Sequence, residues 1–247
     1  AASDVYKRQR YTRWLSKAIC RADAITVNTR LLQDVHGGRY VPQCKDISKY
    51  DPDKYVPEDC RRRYGLSAYT VLMFPGTARP HKGLEDVLIA MENLQNPDLR
   101  LVIVGGRNSS ETYIEQLMRR WGNLIVRLPM LPQEKMPEVL AAAHAIVVPQ
   151  RDTAIARAQF PMKLTDGMAM AKPIITTKVG DIPEILGNCG YVVMPSSPGQ
   201  LEKALEDMIR DPSAAMNRGK EARDRLVMSY SLGAVGPLLS DVINTLG

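Results

Sequence analysis

The chain has 247 residues, 45% hydrophobic and 24% charged, the balance of a soluble globular protein with room for one large domain, or one domain and part of another. Its net charge of +6 is scattered, apart from clusters at Lys7–Arg13 and Arg61–Arg63, and no basic run is interleaved with aromatics. That pattern argues against nucleic acid as a partner and suits an anionic small molecule or peripheral contact with an acidic membrane surface.

Ala1–Gln9 lacks an initiator Met and reads as a non-native leader, so residues 1–9 are set aside and the native N-terminus is expected to be missing. Tyr11–Arg21 has helical spacing, Ala24–Val27 reads as a strand, and Thr29 is placed to cap a helix through Val35. Gln43–Pro57 is polar and contains proline, as an interdomain linker would. From Thr70 onward, short apolar runs alternate with amphipathic segments. Strands are predicted at Thr70–Phe74, Leu99–Val104, Leu124–Leu128, Ala145–Val148, Pro173–Thr177 and Tyr191–Met194. Between them Leu84, Val87, Leu88 and Met91 fall at helical spacing, as do Ile114, Leu117 and Met118, with Trp121 near the end of that helix. Met136, Val139, Leu140 and Ala143 mark a third helix, and Pro161–Met170, Leu201–Arg210 and Ala214–Met228 read as further ones.

Strands alternating with helices indicate βαβ units, and the nearly continuous apolar strands indicate a sheet covered on both faces. The fold class is therefore α/β, a doubly wound parallel sheet of the Rossmann type. Ligands of such sheets bind beyond the carboxyl ends of the strands. This directs attention to Gly76–Gly83, Gly105–Ser110, Pro129–Pro132, Pro149–Lys163 and Thr177–Asp181. No apolar run approaches the roughly 20 residues that span a bilayer. The expected location is cytoplasmic, with attachment at the inner membrane face as the peripheral alternative. Cys20, Cys44, Cys60 and Cys189 form no C-x-x-C pair and do not cluster with the three histidines, so no metal site is expected.

Two segments carry candidate chemistry. Gly76-Thr77-Ala78-Arg79-Pro80-His81-Lys82-Gly83 joins a strand to a helix. Its glycines permit close backbone approach, the helix N-terminus suits phosphate, and Arg79 and Lys82 supply positive charge. The alternative is a plain turn with solvated cations. In Phe160–Pro173, Lys163 and Asp166 share a helix face at i and i+3. The Asp166 carboxylate there can accept hydrogen bonds from a diol, or form a simple pair with Lys163. Asp51-Pro52-Asp53 spells a D-x-D but sits in the polar linker with no strand to present it, and Gly105-Gly106 lacks the rest of a dinucleotide fingerprint.

Together these segments resemble the donor-binding domain of retaining glycosyltransferases with the GT-B fold, of the glycosyl transferases group 1 type. Lys82-Gly83 matches the family's Lys-Gly after the first strand, and Leu101–Gly106 resembles its glycine-ended strand. Asp166–Ile175 resembles "E-x-M-A-x-G-x-P-V-I", and Val179–Glu184 resembles "V-G-G-x-P-E". Pro42–Asp46 sits where "P-N-G-V-D" ends the first domain. The resemblance runs from Arg10 to Tyr230 and implies a remnant of an acceptor domain plus crossover at 10–57, a donor domain at 58–230 and a terminal helix at 231–247.

The resemblance further implies transfer of a sugar, with retention, from a nucleotide-diphosphate sugar to an acceptor hydroxyl on a glycan, lipid or small molecule. The nucleotide sugar is a co-substrate and no other cofactor is implied. Lys82, with Arg79, would hold the departing diphosphate as the catalytic cations. Gly76 and Thr77 would let the donor approach the backbone. Met130 and Leu131 would pack the base, Asp166 would hold the ribose, and the amides of Met162, Lys163 and Leu164 would face phosphate or sugar. Ala158 stands where the family has the first Glu of E-x7-E, with Asp152 as a substitute, and Ala171 replaces a family glycine. The loss at Ala158 keeps open a binding module without turnover, and an epimerase or phosphorylase on the same fold is a further alternative.

Overall fold

The computed structural model describes residues 19–106 and 108–246. The expected leader, the Lys7–Arg13 cluster, Arg107 and all but the end of the Tyr11–Arg21 pattern lie outside the described residues; Ile19–Arg21 is a 3-10 turn.

The main body is a six-stranded, wholly parallel sheet built from β3 (Thr70–Pro75), β4 (Leu99–Val104), β5 (Ile125–Leu128), β6 (Ala145–Val148), β7 (Ile174–Thr177) and β8 (Tyr191–Val193), in the spatial order β5-β4-β3-β6-β7-β8. Successive strand residues point to opposite faces, and both faces are covered. Val71, Met73, Val102 and Ile146 pack on one side with Cys60, Leu140, Leu164, Met168 and Leu226. Leu72, Phe74, Leu101, Ile103 and Val147 pack on the other with Leu84, Leu88, Ile114, Leu117 and Leu205. This double burial is why the strands show no polar alternation. Each fully buried Leu, Ile or Phe contributes about 1.5–3 kcal/mol.

The chain enters at β3, winds outward through β4 and β5, then returns to the other side of β3 for β6, β7 and β8. The winding direction therefore reverses between β3 and β6, and a crevice opens beyond their carboxyl ends. The loops there are Gly76–Gly83 and the segment from Pro149 onward.

A smaller unit precedes the sheet. β1 (Thr26–Val27) pairs in parallel with β2 (Arg39–Tyr40), an element the sequence did not announce. Between them α1 (Arg30–His36) is capped by the Thr29 hydroxyl, which accepts from the Leu32 amide at 3.3 Å, as the sequence predicts. The Asp181 carboxylate accepts from the Arg30 amide at 2.9 Å, and Arg30 pairs with Glu184 at 2.7 Å, tying this unit to the main body.

The expected linker is packed rather than solvated. The Lys45 amide donates to Tyr230 O at 2.8 Å, the Leu232 amide donates to Lys45 O at 3.1 Å, and Tyr50 is buried. The polar composition misleads because Tyr50 and Lys45 insert, while the Asp and Lys residues around them stay at the surface. Asp51 accepts from the Asp53 amide at 3.2 Å, so the D-x-D forms a local turn.

α2 (Pro57–Arg63) begins with Pro, carries Glu58 and Asp59 in its first turn and ends on Arg61–Arg63. That charge order complements the helix dipole. The arginine cluster is not a free basic patch, since Arg61 pairs with Glu58, Arg62 with Asp59 and Arg63 with Glu138.

The remaining helices are α3 (Leu84–Leu94), α4 (Asn108–Trp121), α5 (Met136–Ala141), α6 (Ala154–Arg157), α7 (Met162–Ala169), α8 (Ile182–Leu186), α9 (Pro198–Arg210), α10 (Pro212–Tyr230) and α11 (Leu232–Asn244). α6 falls in the segment Pro149–Lys163 read as a loop and α8 directly after the one at Thr177–Asp181, both being too short to show a period. Among the described residues no helix is long and apolar enough to cross a membrane.

Candidate functional site

The crevice is built from two loops locked together by backbone contacts. Gly76 leaves β3 with φ +121°, and its amide donates to Val104 O at 2.8 Å. Arg79 is extended, Pro80–Lys82 form a 3-10 turn, and Gly83 is left-handed at φ +68° as α3 begins. A Cβ on Gly83 would lie 2.0 Å from Pro149 O, so the two loops touch where only glycine fits. The Arg151 amide donates to His81 O at 3.0 Å, and its guanidinium grips Asp86 at 3.1 and 3.3 Å.

The cations are gathered here. Lys82 is only 8% exposed, and its ammonium donates to Gln150 Oε1 at 3.3 Å and to Gln159 Oε1. Burial, followed by the charges of Lys163 and Arg79, pushes the Lys82 ammonium down to about 8. Lys163 lies along Gly76, its Cε 3.1 Å from where a Cβ would stand, and its ammonium is 5.1 Å from the centre of the Phe74 ring. Burial lowers its pKa, with Asp166 opposing and Arg79 adding to the shift. The His81 imidazole is also depressed, first by burial and then by Lys82, Arg79 and Lys163. Arg79 is exposed at the rim. These cations repel one another, and an anion between them would relieve that repulsion.

Asp166, the carboxylate expected to hold a ribose, is paired with Lys45; the side chains are 16% and 7% exposed. The Lys45 ammonium also lies 4.3 Å above the Tyr50 ring. The i,i+3 reading places Lys163 and Asp166 on one face, but the ion pair goes to a residue 121 positions away. Asp166 thus pairs with Lys45 directly and lies within electrostatic reach of Lys163. Asp166→Asn is accordingly expected to weaken diol recognition and also to leave Lys45 buried without its counter-charge. Unfolding titrations should show a loss of up to about 3 kcal/mol, largely restored by adding Lys45→Met. A loss that Lys45→Met does not restore would show that the pair is not its cause.

The other expected residues divide. Met130 is 65% exposed beyond β5, and its Cα lies 3.7 Å from a Cβ built on Gly105, leaving an open apolar shelf beside half-buried Leu131. Thr77 is half-buried beside Gly76, and Met162 is exposed at the start of α7. Leu164 is fully buried in the core. Two of the three amides expected to face the donor already have an acceptor within the chain. The Met162 amide donates to Phe160 O at 3.1 Å and the Leu164 amide to Pro161 O at 2.9 Å, because the chain tightens as it enters the helix.

Asp152 pairs with Arg157 at 2.5 Å on the exposed side of α6. The residue next to Ala158 is the one that reaches the cluster, since Gln159 holds Lys82. Gln159, Gln150 and Lys45 were missed in the sequence. Lys45 had a usable signal, a charge where "P-N-G-V-D" has an apolar Val.

The family model for glycosyl transferases group 1 matches residues 59–225. The chain is 24% identical over 216 residues to the GDP-mannose-dependent alpha-(1-6)-phosphatidylinositol monomannoside mannosyltransferase of Mycolicibacterium smegmatis, covering 83% of this chain and 56% of that protein. It is 29% identical over 157 residues to D-rhamnosyltransferase WbpZ of Pseudomonas aeruginosa, covering 62% and 39%. The chain thus spans about half the length of the curated relatives it matches.

Among solved structures, sucrose-phosphate synthase of Thermosynechococcus elongatus superposes with a TM-score of 0.77 at 22% identity, over 91% of this chain and 58% of that one. Anabaena Alr3699/HepE in complex with UDP-glucose gives 0.78 at 18% identity, over 91% and 64%. These likenesses establish the Rossmann-like domain of the GT-B architecture. With the family model spanning most of the main body, from α2 through the sheet and into α10, the chain belongs to the glycosyl transferases group 1 family.

Proposed function

We propose that residues 58–230 bind the nucleotide-diphosphate sugar of a retaining glycosyltransferase, which passes the sugar to an acceptor hydroxyl. The observation that carries this reading is the cation cluster at the point where the winding reverses: Lys82 buried, Lys163 half-buried, Arg79 at the rim. A diphosphate leaving group gains negative charge as the glycosidic bond breaks, and fixed positive charge placed there stabilises that change. Lys82 and Arg79 take the diphosphate, Gly76 and Thr77 admit it to the backbone, Asp166 holds the ribose and the Met130–Leu131 shelf takes the base. Residues 10–57 are read as a remnant of an acceptor domain plus the crossover, and 231–247 as a terminal helix. The relatives' names and the UDP-glucose bound in the HepE structure support a nucleotide sugar as donor. Retention rests on the family resemblance.

Calorimetry with UDP, GDP and ADP, each with and without chelator, tests the binding step. Saturable binding of one of them, unchanged by chelation, is expected, because the protein's own cations serve the phosphates. Binding lost on chelation, or no binding at all, would overturn the reading. The missing glutamate at Ala158 favours one competing reading, a module that binds without turnover. An assay of nucleotide release with mixed acceptors separates the two, since a binding module releases none.

A pH dependence follows from Lys82. Its folded pKa of about 8 lies below its ordinary value of 10.5. The unfolded state therefore holds more protons between these limits, and this group's contribution to stability rises with pH across that window. Anion binding favours the charged form and opposes this trend. Nucleoside diphosphate affinity should fall as pH rises through 8, and binding near pH 8.5 should take up protons, visible as an enthalpy that varies with buffer ionisation heat. An affinity flat from pH 7 to 9.5 would show that Lys82 does not face the phosphates.

A further inference from the structure

At the opposite end of the sheet, below the amino ends of β3, β6 and β7, lies a cavity of about 290 Å³. Its wall is apolar, with Met208 and Ile209 from α9 and Met216 from α10. Three nitrogen-bearing side chains, Arg61, His144 and Lys172, share that lining, and no carboxylate does. A second cavity of about 630 Å³ also borders Lys172 and Met216.

Lys172 is 5% exposed, and its ammonium donates to Ala141 O at 2.6 Å. An ammonium has three N–H donors, so one contact leaves capacity for more. Arg61 donates to Ala142 O at 3.3 Å and pairs with exposed Glu58 at 2.5 Å. His144 Nδ1 accepts from the Val71 amide at 2.9 Å, which places the hydrogen of the neutral ring on Nε2, a further donor. Burial first, then Arg61, pushes His144 down to about 4 and Lys172 down to about 8. The two backbone carbonyls explain why cations stand at the end of α5. They do not explain a buried ammonium that borders two cavities and has no carboxylate partner among the described residues.

We propose that this cavity is a binding site for a small carboxylate with an apolar body. The head group sits on Lys172, with Arg61 and His144 Nε2 as further donors, and the chain lies among Met208, Ile209 and Met216. The site is separate from the cation cluster at the carboxyl ends of the strands and does not depend on the donor reading. Apolar walls with a few convergent polar groups are the usual make-up of a small-molecule pocket. The anion supplies the counter-charge that Lys172 lacks.

Octanoate serves as the probe, with octanol and inorganic phosphate as comparisons, followed by the methyl resonances of Met208 and Met216. Octanoate should shift both saturably, while octanol and phosphate alone bind at least tenfold more weakly, the loss of about one charge-assisted hydrogen bond or of the apolar contact. Lys172→Met should weaken octanoate at least about tenfold, and Lys172→Arg should hold affinity within about threefold. Should Lys172→Met fail to fold, Met216→Trp, at a position already 43% exposed, fills the cavity and should abolish the shifts of Met208. UDP, GDP or ADP affinity should be unchanged in every folded variant. Absence of a saturable shift, equal binding of octanol or phosphate, or full octanoate affinity in Lys172→Met or Met216→Trp would overturn the proposal.

Discussion

Lys82→Ala is expected to lower nucleoside diphosphate affinity about a hundredfold while leaving the melting temperature unchanged or raising it. The first effect follows from the ammonium's capacity for two phosphate contacts, each charge-assisted bond contributing about 1.5–3 kcal/mol. The second follows from what holds Lys82 in the free protein. Its partners are the neutral side chains of Gln150 and Gln159, and its neighbours Lys163 and Arg79 repel it. A charge that folding desolvates and does not pair is a cost to the folded state, and its removal recovers that cost. A lysine present for structure would behave in the opposite way, with a lower melting temperature and intact affinity. Calorimetry and thermal unfolding on the same samples distinguish the two. Arg79→Ala should have a smaller effect on binding, because Arg79 is exposed and water screens it.

The sheet was legible in the sequence because its strands are largely apolar runs, most of them closed by glycine or proline. Leu99–Val104 and Ala145–Val148 were predicted to the residue. A parallel strand buried on both faces has few other ways to be written. The carboxyl end of the sheet was legible as the ligand side, while the choice of two loops among the five needed the strand order that the fold supplies. The partners within the crevice were not legible. Lys82 is held by residues 68 and 77 positions away, and Asp166 is taken by a lysine 121 positions away. Periodicity reports which face a side chain occupies, not what the fold brings to that face. So the i,i+3 spacing correctly placed Lys163 and Asp166 together and could not show Lys45 arriving from the preceding unit. The packing within the expected linker was hidden for the same reason. Tyr50 is one buried residue in a polar stretch, and composition averages it away.

Gly83→Ala should be far more damaging than its one methyl group implies, and three glycines can separate the causes. Gly199 lies in the first turn of α9 with an ordinary φ and nothing within 4 Å of an added Cβ, so Gly199→Ala should be neutral or stabilising by up to about 1 kcal/mol. Gly65 has φ +69° but equally open surroundings, so Gly65→Ala should show the left-handed strain alone, about 1–2 kcal/mol. Gly83 combines φ +68° with a Cβ position 2.0 Å from Pro149 O, and a backbone carbonyl cannot rotate aside as a side chain can. Overpacking of that kind adds roughly 1–3 kcal/mol or more to the strain, giving a total loss near 3 kcal/mol or beyond. The clash lies between the two loops of the crevice, beside Lys82. Nucleoside diphosphate binding should therefore fall in Gly83→Ala even at temperatures where the variant remains folded, and remain intact in the other two. Denaturant titration and calorimetry on all three would settle it. Equal losses in Gly65→Ala and Gly83→Ala would mean that the loops part easily, and that the close contact at Pro149 does not hold the crevice together.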